Sequence, residues 1–215
     1  MRIDILTLFP EMVSNVLSES IIGRAQKSGT IEIHCTNIRD FSTDKHRRVD
    51  DYPYGGGNGM VMQPEPIYNA YKKICYEVDE KPFVIYMSPQ GKVFNQELAK
   101  DLSQKKHIII LCGHYEGVDE RIIEEIVDME ISIGDYVLTG GEIPAIVVCD
   151  AVCRLVPGVL SNEECFSDES HYNGILEYPQ YTRPPEFMGR TVPEVLLSGH
   201  HRSEERRVGK ECRSR

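Results

Sequence analysis

Short runs of apolar residues alternate along the chain with longer stretches in which apolar positions recur every three or four residues. The runs predict strands at residues 2–8, 31–36, 83–87, 107–112 and 129–133. The stretches between them predict helices at 10–26, 64–77, 95–103 and 119–126, and a further helix at 142–155 follows the last strand. Val84-Ile85-Tyr86 and Ile108-Ile109-Ile110-Leu111 are apolar at every position, the character of strands buried on both faces of a parallel sheet. Strands alternating with helices predict an α/β domain, a mostly parallel sheet with helices on both faces. The pattern stops at Pro157-Gly158. Residues 161–173 are polar and acidic with neither period, and read as a linker. Beyond them, Tyr178-Pro179-Gln180-Tyr181 and Val192-Pro193-Glu194-Val195-Leu196-Leu197 suggest a small second domain. No internal repeat is present.

The last 14 residues, 202–215, hold six basic and three acidic side chains, a net of +3, with almost no apolar residue. They read as a basic arm for nucleic acid or as a disordered appended tail, and their composition favours the tail. The expected organisation is a domain over 1–160, a linker over 161–175, the start of a small domain over 176–201 and the tail over 202–215.

Composition narrows the function classes. The 215 residues carry a net charge of −10, which argues against unspecific coating of nucleic acid but not against a local basic patch. No apolar run approaches a bilayer's thickness, and the first ten residues lack the features of a secretory signal. The seven cysteines form no Cys-x-x-Cys pair, so a zinc site is not expected. Cysteines of this kind without an export signal point to the cytoplasm.

Glycine-punctuated segments carry the candidate chemistry. Ile131-Ser132-Ile133-Gly134-Asp135-Tyr136-Val137-Leu138-Thr139-Gly140-Gly141-Glu142 follows a strand, and Gly113-His114-Tyr115-Glu116-Gly117 closes the strand before it. Such loops carry little side-chain bulk and many unpaired backbone groups, so they can wrap a flat ligand closely. A dinucleotide fingerprint would put glycines between the first strand and first helix, where the chain reads Leu8-Phe9-Pro10-Glu11. The richest cluster gives Gly55-x-Gly57 and then Met60 in place of the third glycine. No phosphate-loop Gly-Lys-Ser/Thr sequence is present either.

Four segments together resemble one family: residues 45–62 (Lys45-His46-Arg47-Arg48 leading to Tyr54-Gly55-Gly56-Gly57-Asn58-Gly59-Met60), 86–91 (Tyr86-Met87-Ser88-Pro89-Gln90-Gly91), 111–121 and 131–142. The chain is similar, from Met1 to about His201, to the bacterial tRNA (guanine-N1-)-methyltransferases, knotted methyltransferases of the SPOUT class. The resemblance implies a C-terminal trefoil knot and S-adenosylmethionine as methyl donor. It implies donor contacts from Tyr86, Met87, Ser88, Pro89 and Gln90; from Gly113, Tyr115, Glu116 and Gly117; and from Ser132, Ile133, Gly134, Asp135, Tyr136, Val137, Leu138, Gly140, Gly141 and Pro144. Ile133, Val137 and Leu138 would supply the apolar slot for adenine.

The implied reaction is methylation of guanine N1 immediately 3′ of a tRNA anticodon. N1 carries a proton at neutral pH, so the chemistry needs a base and a donor for O6. The resemblance assigns Arg154 to O6. The base falls in the linker, at Glu169 by alignment on Gly174 and Tyr178-Pro179, with Asp168 as the alternative. Lys45, His46, Arg47 and Arg48 with the glycine loop (Tyr54, Gly55, Gly56, Gly57, Asn58, Gly59) and Arg183 would hold the tRNA anticodon stem-loop. The family works as a homodimer with the active site shared between subunits. Magnesium is compatible with the reaction, carried by substrate and carboxylate oxygens rather than by a dedicated cage. Two departures stand out: Asn58 replaces a usual proline, and the family's helical second domain runs on where this chain turns into residues 202–215. That domain is therefore expected to be cut short, with the donor site intact and tRNA binding weakened.

Overall fold

A computed structural model describes residues 1–160 and 179–197. The chain divides into two compact units, Met1–Glu163 and Glu164–Arg215. The first unit holds strands β1 (Arg2–Thr7), β2 (Glu32–Asn37), β3 (Asp50–Asp51), β4 (Val61–Met62), β5 (Phe83–Val93), β6 (His107–Cys112) and β7 (Met129–Ser132). Its helices are α1 (Pro10–Leu17), α2 (Ser20–Lys27), α3 (Pro64–Tyr76), α4 (Gln96–Ser103), α5 (Glu120–Ile126) and α6 (Glu142–Cys153). Five strands form one sheet in the order β2-β1-β6-β5-β7, every neighbouring pair parallel. The α/β reading is therefore the observed one.

The central strands β1, β6 and the first half of β5 are buried on both faces, as their unbroken apolar runs require, whereas the edge strand β2 is not. Leu6, Val84, Tyr86, Ile109 and Leu111 pack in one cluster with Ile67, Ala70 and Ile74 of α3 and with Ile122 and Ile126 of α5. The alternate residues Ile3, Ile5, Ile85, Ile108 and Ile110 are as deeply buried. Helices α1 and α4 both pack on α6. Each such aliphatic side chain contributes roughly 1.5–3 kcal/mol on burial.

Two expectations change and one element is added. The helix expected over 10–26 is two helices, because the chain turns at Ser18: its N–H donates to the Ser14 carbonyl, the Glu19 N–H to the Val16 carbonyl, Glu19 is extended and Ser20 sits at φ +53°. The strand expected over 83–87 runs to Val93, but with a wide excursion. Met87 and Lys92 both face Ile131, so Ser88, Pro89, Gln90 and Gly91 leave the ladder and the strand then rejoins it. A minor antiparallel ladder, β3 with β4, was not foreseen and closes the glycine loop of residues 52–60 at its base.

In the second unit, β8 (Glu186–Phe187) and β9 (Arg190–Thr191) pair antiparallel, followed by a 3-10 turn at Glu194–Leu197. The described residues of this unit contain no α-helix. No helix among the described residues is long and apolar enough to cross a membrane.

Candidate active site

Three of the loops meet at the excursion in β5 after Met87 and at the carboxyl ends of β6 and β7, the side on which open parallel sheets place their ligand crevices. They enclose a cavity of about 390 Å³. Its walls include Tyr86, Met87, Ser88, Pro89 and Gln90; Gly113, Tyr115, Glu116 and Gly117; Ser132, Ile133, Gly134, Tyr136, Val137 and Leu138; and Gly140, Gly141 and Pro144. Of the residues singled out in the three loops, Asp135 does not line it. His114, Val118, Glu120, Ile123, Glu130 and Ile131 join the lining. His114, Val118 and Glu120 lie inside the 111–121 motif and Ile131 opens the 131–142 motif, whereas Glu130 enters through register, opposite Tyr86.

Local geometry explains the shape. The excursion of 88–91 carries a turn in which Gln90 N–H donates to Ser88 Oγ at 3.2 Å. In the third loop, Ser132 Oγ donates to the Gly134 carbonyl at 3.1 Å and accepts from the Gly134 N–H at 3.2 Å. Gly141 N–H donates to the Gly113 carbonyl at 2.8 Å, tying the third loop to the second. A Cβ at residue 141 would stand 2.8 Å from Cys112 Cα, so only glycine permits this crossing of backbones. Burial, and then the nearby Glu130 carboxylate, push the Tyr86 phenol above its usual range, which keeps it a neutral hydroxyl. The crevice thus combines apolar side chains with exposed main-chain groups and neutral hydroxyls, which suits a flat ligand with polar edges. Val137 is 84% exposed, so this wall stands open in the single chain.

Neither the basic stretch nor the glycine loop lines the cavity. Asp44 organises the stretch: its Oδ1 accepts from the His46 N–H at 2.7 Å and the Arg48 N–H at 3.3 Å. These bonds hold the Asp44 carboxyl below its usual range. Arg47 pairs with Asp40 at 3.1 Å, and Lys45, His46, Arg47 and Arg48 are all exposed. Tyr54 is 99% exposed at the head of the loop that holds Gly55, Gly56, Gly57, Asn58 and Gly59. The loop's far end is stitched to the cavity wall, with Glu116 N–H on the Met60 carbonyl and Met62 N–H on the Gly117 carbonyl, both at 2.9 Å. A nucleotide held by this loop would therefore border the cavity.

Arg154 does not join the cavity of its own chain. It caps the C-terminal end of α6, ten residues beyond the cavity-lining Pro144. At 1.5 Å per residue that is about 15 Å along the helix axis. Glu169 and Asp168 lie outside the described residues. Arg183 belongs to the second unit and is exposed. No group of three His, Cys, Asp or Glu side chains placed to hold a metal ion occurs among the described residues. Cys112, Cys149 and Cys153 are buried free thiols, all pushed up chiefly by burial and so unreactive.

Comparison with known proteins agrees in one direction. Residues 1–214 match the family model of the tRNA (guanine-1)-methyltransferase TrmD. The tRNA (guanine-N(1)-)-methyltransferase of Ruminiclostridium cellulolyticum is 67% identical over 201 residues, covering 94% of this chain and 86% of that protein. The protein of the same name from Clostridioides difficile is 59% identical over 203 residues, 94% of this chain and 88% of its own. The crystal structure of tRNA (m1G37) methyltransferase from Aquifex aeolicus superposes with a TM-score of 0.84 at 44% identity, covering 100% of this chain and 93% of that one.

Proposed function

The chain belongs to the tRNA (guanine-1)-methyltransferase family, and on that premise we propose that it moves a methyl group from S-adenosylmethionine to N1 of the guanine immediately 3′ of a tRNA anticodon, position 37. The observation that carries this reading is the single crevice in which the excursion of β5 and the loops after β6 and β7 converge. The crevice fits the donor: its glycines leave backbone groups open to the edge of adenine, and Ile133, Val137 and Leu138 offer apolar surface to its face. We assign the loops to the three turns of a trefoil knot, a reading supported by the close passage of Gly141 across Cys112.

S-adenosylmethionine supplies, when bound, a methyl group on a positively charged sulfur. The protein's part is to make guanine nucleophilic. Glu169, with Asp168 as the alternative, takes the N1 proton as N1 forms its bond to the methyl carbon and the carbon–sulfur bond breaks. Arg154 donates to O6 and stabilises the negative charge that develops there. Lys45, His46, Arg47 and Arg48 fix phosphates of the anticodon stem-loop, Tyr54 and Gly55–Gly59 close on the nucleotides, and Arg183 adds a contact from the small unit. A magnesium ion would be held by substrate and carboxylate oxygens, not by a dedicated cage. We assign it to the cytoplasm, a reading supported by its tRNA chemistry.

The distance of Arg154 from its own cavity supports a shared site. Ile143, Val147, Asp150 and Arg154 recur at helical spacing on one stripe of α6, and the first three are exposed. Phe9, Met12 and Val16 form a matching exposed stripe at the start of α1, which packs on α6. This apolar face, from 41% to 54% exposed at those five hydrophobic residues, is the surface a second copy would cover. A homodimer formed there brings Arg154 and the linker of one subunit to the cavity of the other.

Two outcomes test this reading. Unmodified tRNA transcripts with guanine at the target position should accept label from the methyl donor, and transcripts with adenine there should not. A protein that binds donor and tRNA without turnover is an idle RNA-binding module instead. Val147→Glu, which puts a charge in the apolar face, should halve the sedimenting mass and abolish methyl transfer. A fully active monomer would rule out the shared site.

A further inference from the structure

Beneath the donor loops lies a polar pair that the reaction chemistry above does not use. Glu142, the first residue of α6, is 3% exposed. Its Oε1 accepts from Thr7 Oγ1, itself fully buried, at 2.8 Å. Its Oε2 points into the small space above Gly140. The Nδ1 of His114 points into the same space. A Cβ built on Gly140 would stand 2.4 Å from Oε2 and 2.7 Å from Nδ1. Among the described residues, Nδ1 of His114 is the one buried side-chain polar atom without a hydrogen-bond partner. The carboxylate oxygen and the buried imidazole nitrogen thus converge on the side of Gly140 that a side chain would otherwise occupy. Leaving either unpaired there costs about 1–3 kcal/mol.

We propose that His114 and Glu142 form a positioning pair for the methyl-donor site, His114 Nδ1–H donating to Glu142 Oε2 directly or across one water molecule. An ionised carboxylate only accepts, so the pair fixes the neutral imidazole as the Nδ1–H tautomer. The ring is also held laterally, with Phe9 at 5.1 Å and Tyr115 at 4.9 Å between centroids. The consequence is structural and local to the donor loops. His114 sits in the second loop, Gly140 in the third, and their backbones already meet as an antiparallel bridge. Glu142 adds a side-chain bond between the two loops and roots both in β1 through Thr7. His114 is thereby a positioning residue, acting on donor affinity through the loops and not on the reacting atoms.

The inference rests on the donor assignment above, and its test has a readout that does not. In the free protein at mildly alkaline pH, the imidazole nitrogen-15 shifts of His114 should show a protonated Nδ1 and a bare Nε2. The signals are assigned by their loss in His114→Asn. In Glu142→Gln the amide presents a donor to Nδ1, so the tautomer should reverse. Titration with S-adenosylmethionine should show roughly tenfold weaker binding for Glu142→Gln and for His114→Leu. His114→Asn, which keeps a donor near the Nδ1 position, should bind within about threefold of the unsubstituted protein. With tRNA, His114→Leu should raise the donor KM while kcat at saturating donor changes by less than about twofold. A bare Nδ1 in the unsubstituted protein overturns the pair, as does wild-type donor affinity in His114→Leu. Should Glu142→Gln fail to fold, the wild-type spectrum and the two His114 variants still decide. A protein that binds no S-adenosylmethionine at all would remove the donor assignment, while the nitrogen shifts would still judge the hydrogen bond.

Discussion

Arg154→Ala is expected to lower turnover at saturating donor by about a hundred- to a thousand-fold, the usual loss when one donor to a developing oxyanion is removed. S-adenosylmethionine affinity should stay near that of the unsubstituted protein. The separation follows from α6. The helix starts at the cavity, where Gly141 and Pro144 line the wall, and Arg154 ends it at the far side. A residue that serves O6 from a neighbouring subunit has no reason to affect donor binding. Single-turnover methylation and donor titration on the same preparation check both halves. Parallel loss of donor affinity would instead assign Arg154 to holding the C-terminal end of the helix, where a cation meets the helix dipole.

Glu169→Gln is expected to slow methyl transfer by about a hundred- to ten-thousand-fold, the range for removing a general base. Glutamine keeps the length and polarity of the side chain but cannot take the N1 proton. Donor affinity and the sedimenting mass should not change. The neighbouring Asp168→Asn is the discriminating control, because two carboxylates of similar intrinsic pKa stand side by side in the sequence. Loss confined to Asp168→Asn would move the base by one residue. Loss in neither variant would take the proton-removal step out of the linker.

The sheet was legible because its central strands are buried on both faces. Runs such as Ile108-Ile109-Ile110-Leu111 have no other plausible place in an α/β domain. The break at Ser18 was not, because both halves of residues 10–26 keep helical spacing and only the backbone at Glu19 and Ser20 interrupts it. The excursion after Met87 depends on β7, since Lys92 returns to the same Ile131 that Met87 faces, and no local pattern encodes a partner's register.

The site divides in the same way. Glycines and hydroxyls at strand ends announced the loops, because close backbone crossings such as Gly141 over Cys112 demand them locally. Glu130 reaches the cavity only through its place opposite Tyr86. Likewise, His114 and Glu142 are separated in sequence and meet through the space that Gly140 leaves open. Spacing does not report such meetings. The resemblance singled out Arg154, but its distance from the cavity of its own chain emerged only from the course of α6.

The most direct test of the account is the identity of the methylated nucleoside. tRNA transcripts carrying guanine 3′ of the anticodon, incubated with this protein and S-adenosylmethionine and then digested to nucleosides, should yield 1-methylguanosine at that position by mass spectrometry. A ribose 2′-O-methylated nucleoside, or a methyl group on another base, would contradict it.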